Sequence, residues 1–145
     1  MTDGITLITR RTIRATAARL FDAWTQPEQL RAWWGPRPVT CAGAEVDLRV
    51  GGRYRIVNAM PDGTTLLIEG EFQVVDAPHR LVYTWLCGDE EASRVTVRFE
   101  PRGDATEVIV VHEQISSERV RDSHEGGWNG CLDGLERHAL DGARR

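Results

Sequence analysis

The sequence predicts an α+β fold, a curved antiparallel sheet of about six or seven strands wrapped around a long C-terminal helix, with two short helices after the first strand. Three observations carry this. From Ala44 onward, stretches of period-two alternation follow one another between tight-turn signals. Two short apolar stretches at helical spacing separate them from the first strand, and the final stretch, Ser116 to Arg145, is amphipathic at the helical period. Strands joined by short turns pair antiparallel, and a sheet of this length curls rather than staying flat.

Ile5, Leu7 and Ile13 share one face, with Arg11 in the same phase and Arg10, Thr12 and Arg14 between, so the first strand is half-buried and ends near Ala15. Thr16 can cap a short helix that sets Ala17, Leu20, Phe21 and Trp24 on one side. Pro27 suits the first position of a second helix, Glu28 to Trp33. Gly35-Pro36 ends it, because glycine accepts a left-handed turn and proline cannot continue a helix.

From Ala44, the residues Val46, Leu48 and Val50 alternate with Glu45, Asp47 and Arg49. Gly51-Gly52 then turns the chain into a strand with Tyr54, Ile56 and Asn58 on one face. Pro61-Asp62-Gly63 closes a hairpin, and Thr64 to Asp76 is a long strand that Gly70 is expected to bend sharply. After the Asp76-Ala77-Pro78-His79 turn come Leu81, Tyr83 and Trp85 on one face, an acidic loop from Gly88 to Ala92, then Val95, Val97 and Phe99. Pro101-Arg102-Gly103-Asp104 turns into the last strand, where Thr106, Val108, Val110 and His112 share a face.

In the final stretch, Val120, His124, Gly127, Trp128, Cys131, Leu135, His138 and Ala139 fall on one side of a helix, with Asp122, Glu125, Asp133, Glu136 and Arg137 opposite. Ser116 or Ser117 can cap its start, and Arg144-Arg145 suits the negative pole of the helix dipole. Four glycines, Gly126, Gly127, Gly130 and Gly134, each cost roughly 1 kcal/mol against alanine inside a helix. Gly127, Gly130 and Gly134 line one edge of the apolar stripe, where missing side chains let a sheet or a ligand approach the backbone. The alternative is a break near Gly126.

At 145 residues the chain is expected to form one domain, residues 1–145, with a sizeable core. No run nears the ~18 apolar residues of a membrane span, so a soluble protein without membrane insertion is expected. The start, Met1-Thr2-Asp3-Gly4, lacks the basic-then-apolar order of a signal peptide. Cys41, Cys87 and Cys131 are odd in number, widely spaced and free of any CxxC pattern. Reduced thiols in a cytoplasmic setting follow, with neither a disulfide frame nor a metal site.

All 18 basic residues are arginine, which excludes Schiff-base and lysine-base chemistry. A net charge of −4, with arginines scattered among acids, gives no basic stripe for nucleic acid. No GxSxG, HExxH, P-loop or GxGxxG pattern appears, so standard hydrolase, metalloprotease and nucleotide-binding chemistries have no support, and no cofactor is expected.

Several motifs carry a family resemblance. They are Ala23-Trp24-Thr25-x-Pro27-Glu28-x-Leu30-x-x-Trp33-Trp34-Gly35-Pro36, then Asp47-Leu48-Arg49-x-Gly51-Gly52-x-Tyr54-Arg55, Leu81-Val82-Tyr83-Thr84-Trp85, Val95-Thr96-Val97, and Gly127-Trp128 before Leu132 and Leu135. In this order they resemble the stand-alone bacterial proteins related to the C-terminal domain of the activator of the heat-shock protein 90 ATPase. These belong to the START-like, birch-pollen-allergen-like (SRPBCC) superfamily. The resemblance spans nearly the whole chain and implies the helix-grip fold. It does not choose among the superfamily's lipid and hormone carriers, cyclases, resistance proteins and co-chaperone domains. The separate N-terminal domain of a full-length chaperone activator is not in this chain, which disfavours a complete co-chaperone role.

A curled sheet around one helix leaves a cavity unless large side chains fill it, and an apolar site of roughly 300–1,000 Å³ is expected there. The candidate ligand-binding residues on the sheet are Tyr54, Ile56, Ile68, Phe72, Tyr83, Trp85, Val97, Phe99, Val110 and His112. On the helix they are His124, Trp128, Cys131 and Leu135, and Trp33 and Trp34 close one end. Two adjacent tryptophans cannot face the same way on a helix, so one packs and the other, Trp34, lines the entrance. His112 and His124 interrupt apolar faces. Each is either a ligand anchor or proton acceptor, or a hydrogen-bonded core histidine. A metal held by His112, His124 and Cys131 has no tight ligand spacing behind it. Asp47, Arg49, Arg53 and Arg55 read as a solvated outer face.

The expected function is non-catalytic binding of a small hydrophobic molecule between sheet and helix. One rival is a cyclase- or hydrolase-type enzyme using His112 or His124 as base. The other is a co-chaperone-like module that presents exposed strands, or the loop around Trp33, to heat-shock protein 90. A homodimer stays open.

Overall fold

Seven strands form one antiparallel sheet in the computed structural model, which describes residues 4–143. The elements are β1 (Ile5–Ile13), α1 (Ala17–Thr25), α2 (Pro27–Trp33), β2 (Thr40–Val46), β3 (Arg53–Ala59), β4 (Thr65–Asp76), β5 (Arg80–Cys87), β6 (Ser93–Arg102), β7 (Ala105–Ile115) and α3 (Glu118–Ala143). Strands β2 to β7 pair each with the next, as their short turns require, and β1 adds beside β7. Successive strands β1 and β2 therefore lie on opposite edges of the sheet. The two short helices carry the chain from one edge to the other. The sheet is curved and α3 packs on it, which is the expected α+β architecture.

Local chemistry places the helices. Thr16 Oγ1 accepts the Arg19 N–H at 3.1 Å, Pro27 opens α2, and Gly35 takes a φ of 110° where the chain leaves it. Helix α3 runs unbroken through Gly126. Its cap is Ser117, whose Oγ accepts the Val120 N–H at 3.2 Å. The Arg144-Arg145 pair lies outside the described residues. Trp128, Cys131, Leu132, Leu135 and Ala139 are buried, as the stripe requires. Asp133 and Glu136 do not simply face water. They reach Arg11 of β1 at 2.8 and 3.1 Å and pin the helix to that edge strand.

The helix glycines divide by neighbour. A Cβ on Gly130 would strike Pro36, and one on Gly134 would strike the Trp33 carbonyl, so the close approach comes from the end of α2 and the residues after it and not from the sheet. A Cβ on Gly127 would meet nothing within 4 Å. Gly70 is likewise a contact glycine: a Cβ there would strike the Thr84 carbonyl of β5. The bulge in this strand pair falls further along, between Phe72 and Val74.

The strand expected from Ala44 to Val50 instead spans Thr40–Val46, with Leu48 and Val50 exposed at 40% and 64%. The reason is local. The Arg49 N–H donates to the Asp47 carbonyl at 2.9 Å and the Gly52 N–H to the Arg49 carbonyl at 2.8 Å, while Gly51 and Gly52 are tied to Phe72 of β4, so a tight turn starts at Asp47. Asp47, Arg49, Arg53 and Arg55 are exposed, in keeping with a solvated outer face.

Candidate functional site

All five tryptophans form one connected cluster between α1, α2, β5 and α3, with ring centroids from 5.1 Å (Trp24 and Trp33) to 6.3 Å apart (Trp34 and Trp85). Adjacent Trp33 and Trp34 both bury because the helix ends between them. Trp34 takes extended backbone angles, φ −68° and ψ 141°, and its indole packs edge-on against that of Trp33 with centroids 5.5 Å apart. Trp33 donates its ring N–H to the Ala23 carbonyl at 2.8 Å, and Trp34 donates to Asn58 Oδ1 at 3.1 Å.

Trp34, Trp85 and Trp128 are three walls of a cavity of about 210 Å³ between α3 and strands β3 to β5. The sheet contributes Asn58, Leu66, Ile68 and Cys87, and Glu90 reaches in from the loop after β5. Helix α3 contributes Ser123, His124, Gly127 and Cys131, and Pro36, Val39 and Met60 close the margin. The space is smaller than a drug-sized site because the indoles occupy much of it.

Of the residues singled out in the sequence, Trp34, Ile68, Trp85, His124, Trp128 and Cys131 meet at this cavity. Tyr54, Phe72 and Tyr83 instead enclose, with Trp34 and Trp85, a separate void of about 20 Å³, room for about one water molecule. Both tyrosine hydroxyls are engaged: Tyr54 donates to the Thr84 carbonyl at 2.7 Å, and Tyr83 accepts from Trp24 Nε1 at 3.2 Å. Val97, Phe99 and His112 lie in the packed interior and line neither space.

His112 sits one layer behind the cavity wall, its ring 5.3 Å from Trp85 and 4.8 Å from His124. Trp128 Nε1 can only donate, so at 3.1 Å it makes His112 Nδ1 an acceptor, and Nε2–H then donates to Ser93 Oγ at 2.7 Å. Both ring nitrogens are used. Burial, reinforced by the neighbouring His124, pushes the His112 pKa down to about 3. This imidazole is neutral at pH 7 and has no lone pair free for a substrate.

His124 faces the cavity and donates Nε2–H to Glu90 Oε1 at 2.9 Å, a carboxylate–imidazole pair at one end of an otherwise apolar wall. Asn58 stands in the same wall. Its oxygen is held by the Trp34 N–H, which leaves the amide NH₂ as a donor. The three cysteines are free thiols. Burial pushes Cys87 up to about 11 and Cys131 up to about 12, so neither is a thiolate nucleophile near neutral pH. Among the described residues, no three His, Cys, Asp or Glu side chains are grouped to hold a metal ion.

Sequence reasoning missed several wall residues. Leu66 and Cys87 were within its reach, since they continue the inward phases of Ile68 and Trp85. Asn58 shares the face of Tyr54 and Ile56, but an amide gives no sign in the sequence that it lines an apolar wall. Glu90 carries no signal at all, because a loop has no period.

The model of the family described as activator of Hsp90 ATPase homolog 1-like protein matches residues 14–139. The chain belongs to this family. Within it, the fold is that of the START-like superfamily, and the family and fold are those of a ligand-binding or co-chaperone-like module. A crystal structure from Nitrosomonas europaea shares 22% identity at a TM-score of 0.84, with 100% of both chains covered. One from Chromobacterium violaceum shares 24% at 0.85, covering 92% of this chain and 96% of its own. The AHSA1 protein of Silicibacter pomeroyi shares 24% at 0.85, covering 94% and 99%. At such identities these likenesses show the fold. No curated protein matches this AHSA1-like chain. Among its described residues, no helix is long and apolar enough to cross a membrane.

Proposed function

We propose that residues 1–145 act as one START-like domain in the cytoplasm, binding a small, largely hydrophobic molecule in the cavity between α3 and the sheet without catalysing a reaction. The observation that carries this reading is the cavity of about 210 Å³, apolar over most of its wall, with the Asn58 amide, Ser123 and the Glu90–His124 pair as its polar points. The Asn58 NH₂ can donate to a carbonyl or hydroxyl oxygen of the ligand, and the size favours a compact one. The binding reading is preferred to a catalytic one because both His112 nitrogens are committed, His124 Nε2 is already paired with Glu90, and the wall thiols are protonated.

Gly127 supplies the test, since its missing side chain opens onto this space. Gly127→Leu should fill part of the cavity while gaining up to about 1 kcal/mol of helix propensity. A thermal-shift screen of small hydrophobic metabolites should find compounds that stabilise the unaltered chain and not this variant. Equal stabilisation of both would remove the cavity from the proposal. A pull-down that captured the chain on heat-shock protein 90 would favour the co-chaperone-like module instead.

A further inference from the structure

The outer side of the segment after α2 carries a second concavity, a groove of about 750 Å³ at the junction of α1, α2, β2 and α3. Among the described residues, four guanidinium side chains line it, those of Arg19, Arg31, Arg37 and Arg137, and Asp141 is the single carboxylate in its wall. None of the four arginines forms an ion pair among the described residues, whereas Arg11, Arg94, Arg102 and Arg121 elsewhere each hold a carboxylate. In a chain of net charge −4, this is a local concentration of uncompensated positive charge.

One side of the groove is built in advance. Gln29 Oε1 accepts from Arg19 Nη1 at 2.7 Å and from His138 Nε2 at 3.1 Å, and Arg19 Nη2 also donates to the His138 carbonyl at 3.3 Å. This network ties the three helices together and holds Arg19 half-buried in the wall. On the other side, Gly134 has no side chain, and Arg137 Nη2 lies 3.9 Å from where its Cβ would stand. Trp34 and Val39 line both the groove and the inner cavity and so form a wall between them.

We infer that this groove binds a small, multiply charged anion, a phosphate ester or a polycarboxylate. Guanidinium groups match both in paired hydrogen bonds, and several around one concavity neutralise more than one charge. The site is concave and local, not the extended stripe that follows a nucleic-acid backbone. Its volume exceeds what a single inorganic anion fills, and Ala32 and Val39 offer apolar wall for an organic portion.

The test is titration calorimetry on the full chain at low ionic strength, with inorganic pyrophosphate and citrate as the two probes. At least one should bind at a single site, and the preferred probe separates phosphate from carboxylate ligands. The triple variant Arg31→Gln, Arg37→Gln, Arg137→Gln changes only exposed side chains and should weaken binding by about tenfold or more. A control, Arg55→Gln with Arg119→Gln, removes exposed arginines elsewhere and should leave affinity unchanged. Gly127→Leu should leave it unchanged as well, which separates this site from the inner cavity. Binding of neither probe, undiminished binding by the triple variant, or an equal loss in the control pair would each overturn the inference.

Discussion

A leucine at Gly134 is expected to destabilise the fold by about 3 kcal/mol or more, while the same substitution at Gly127 should leave it as stable or more so. Helix propensity predicts the same gain at both sites, because each replaces a glycine inside α3 with a good helix former. Packing decides between them. At Gly134 a Cβ would press on the Trp33 carbonyl, a backbone atom fixed where α2 ends, and the position is buried. The helix would have to back away from the segment that carries Trp33 and Trp34, and the tryptophan cluster would open with it. At Gly127 there is open space. Urea denaturation should show the Gly134→Leu midpoint falling by roughly 1 M or more, with that of Gly127→Leu unchanged or raised. If the two variants behave alike, the close approach of α3 to this segment is wrong.

Stability should also fall steeply in mild acid. In the unfolded chain the His112 imidazole takes up a proton near pH 6.5. In the folded protein, burial and the adjacent His124 hold its pKa down at about 3. Above pH 6.5 both states are neutral at this residue and the contribution is constant. Between 6.5 and about 3 the unfolded state binds the extra proton, so each unit of acidification removes up to about 1.4 kcal/mol. By pH 5, before most carboxylates titrate, roughly 2 kcal/mol should be gone. His112→Asn is the check, since its amide oxygen can take the place of Nδ1 opposite the Trp128 N–H and it cannot titrate. That variant should be less stable at pH 7.5 but show a flatter profile from 7.5 to 5. A wild-type profile already flat over this range, or an equally steep one in the variant, would contradict the buried, neutral imidazole.

The candidate site is legible in the sequence only in part, and the division follows from what periodicity can report. Ile68, Trp85, His124, Trp128 and Cys131 repeat at the period of their elements, which is enough to assign them to the inward side. Periodicity cannot say which inward residues face a hollow and which are pressed together. His112 and His124 look alike in the sequence, each a polar interruption of an apolar face. One is locked between Ser93 and Trp128 behind the wall, and the other stands in the wall against Glu90. The strand expected from Ala44 to Val50 is displaced because alternation continues through Asp47-Leu48-Arg49-Val50 while backbone bonds from Arg49, Gly51 and Gly52 close a turn there.

By itself the sequence determined the class of fold, the long closing helix and the two short helices, one started by a threonine cap and the other by a proline, because these depend on local spacing and on what proline, glycine, serine and threonine do to a backbone. The caps at Thr16 and Ser117 and the start of α2 at Pro27 are set within a few residues of chain. The tertiary structure alone decided where empty space remains and where charges gather. The glycines of α3 are chemically identical, and only the neighbour brought in from the end of α2 makes Gly134 a contact and Gly127 an opening. The arginines at positions 19, 31, 37 and 137 are spread along the chain, and they share a groove because β1 and β2 lie on opposite edges of the sheet and the helices must cross between them.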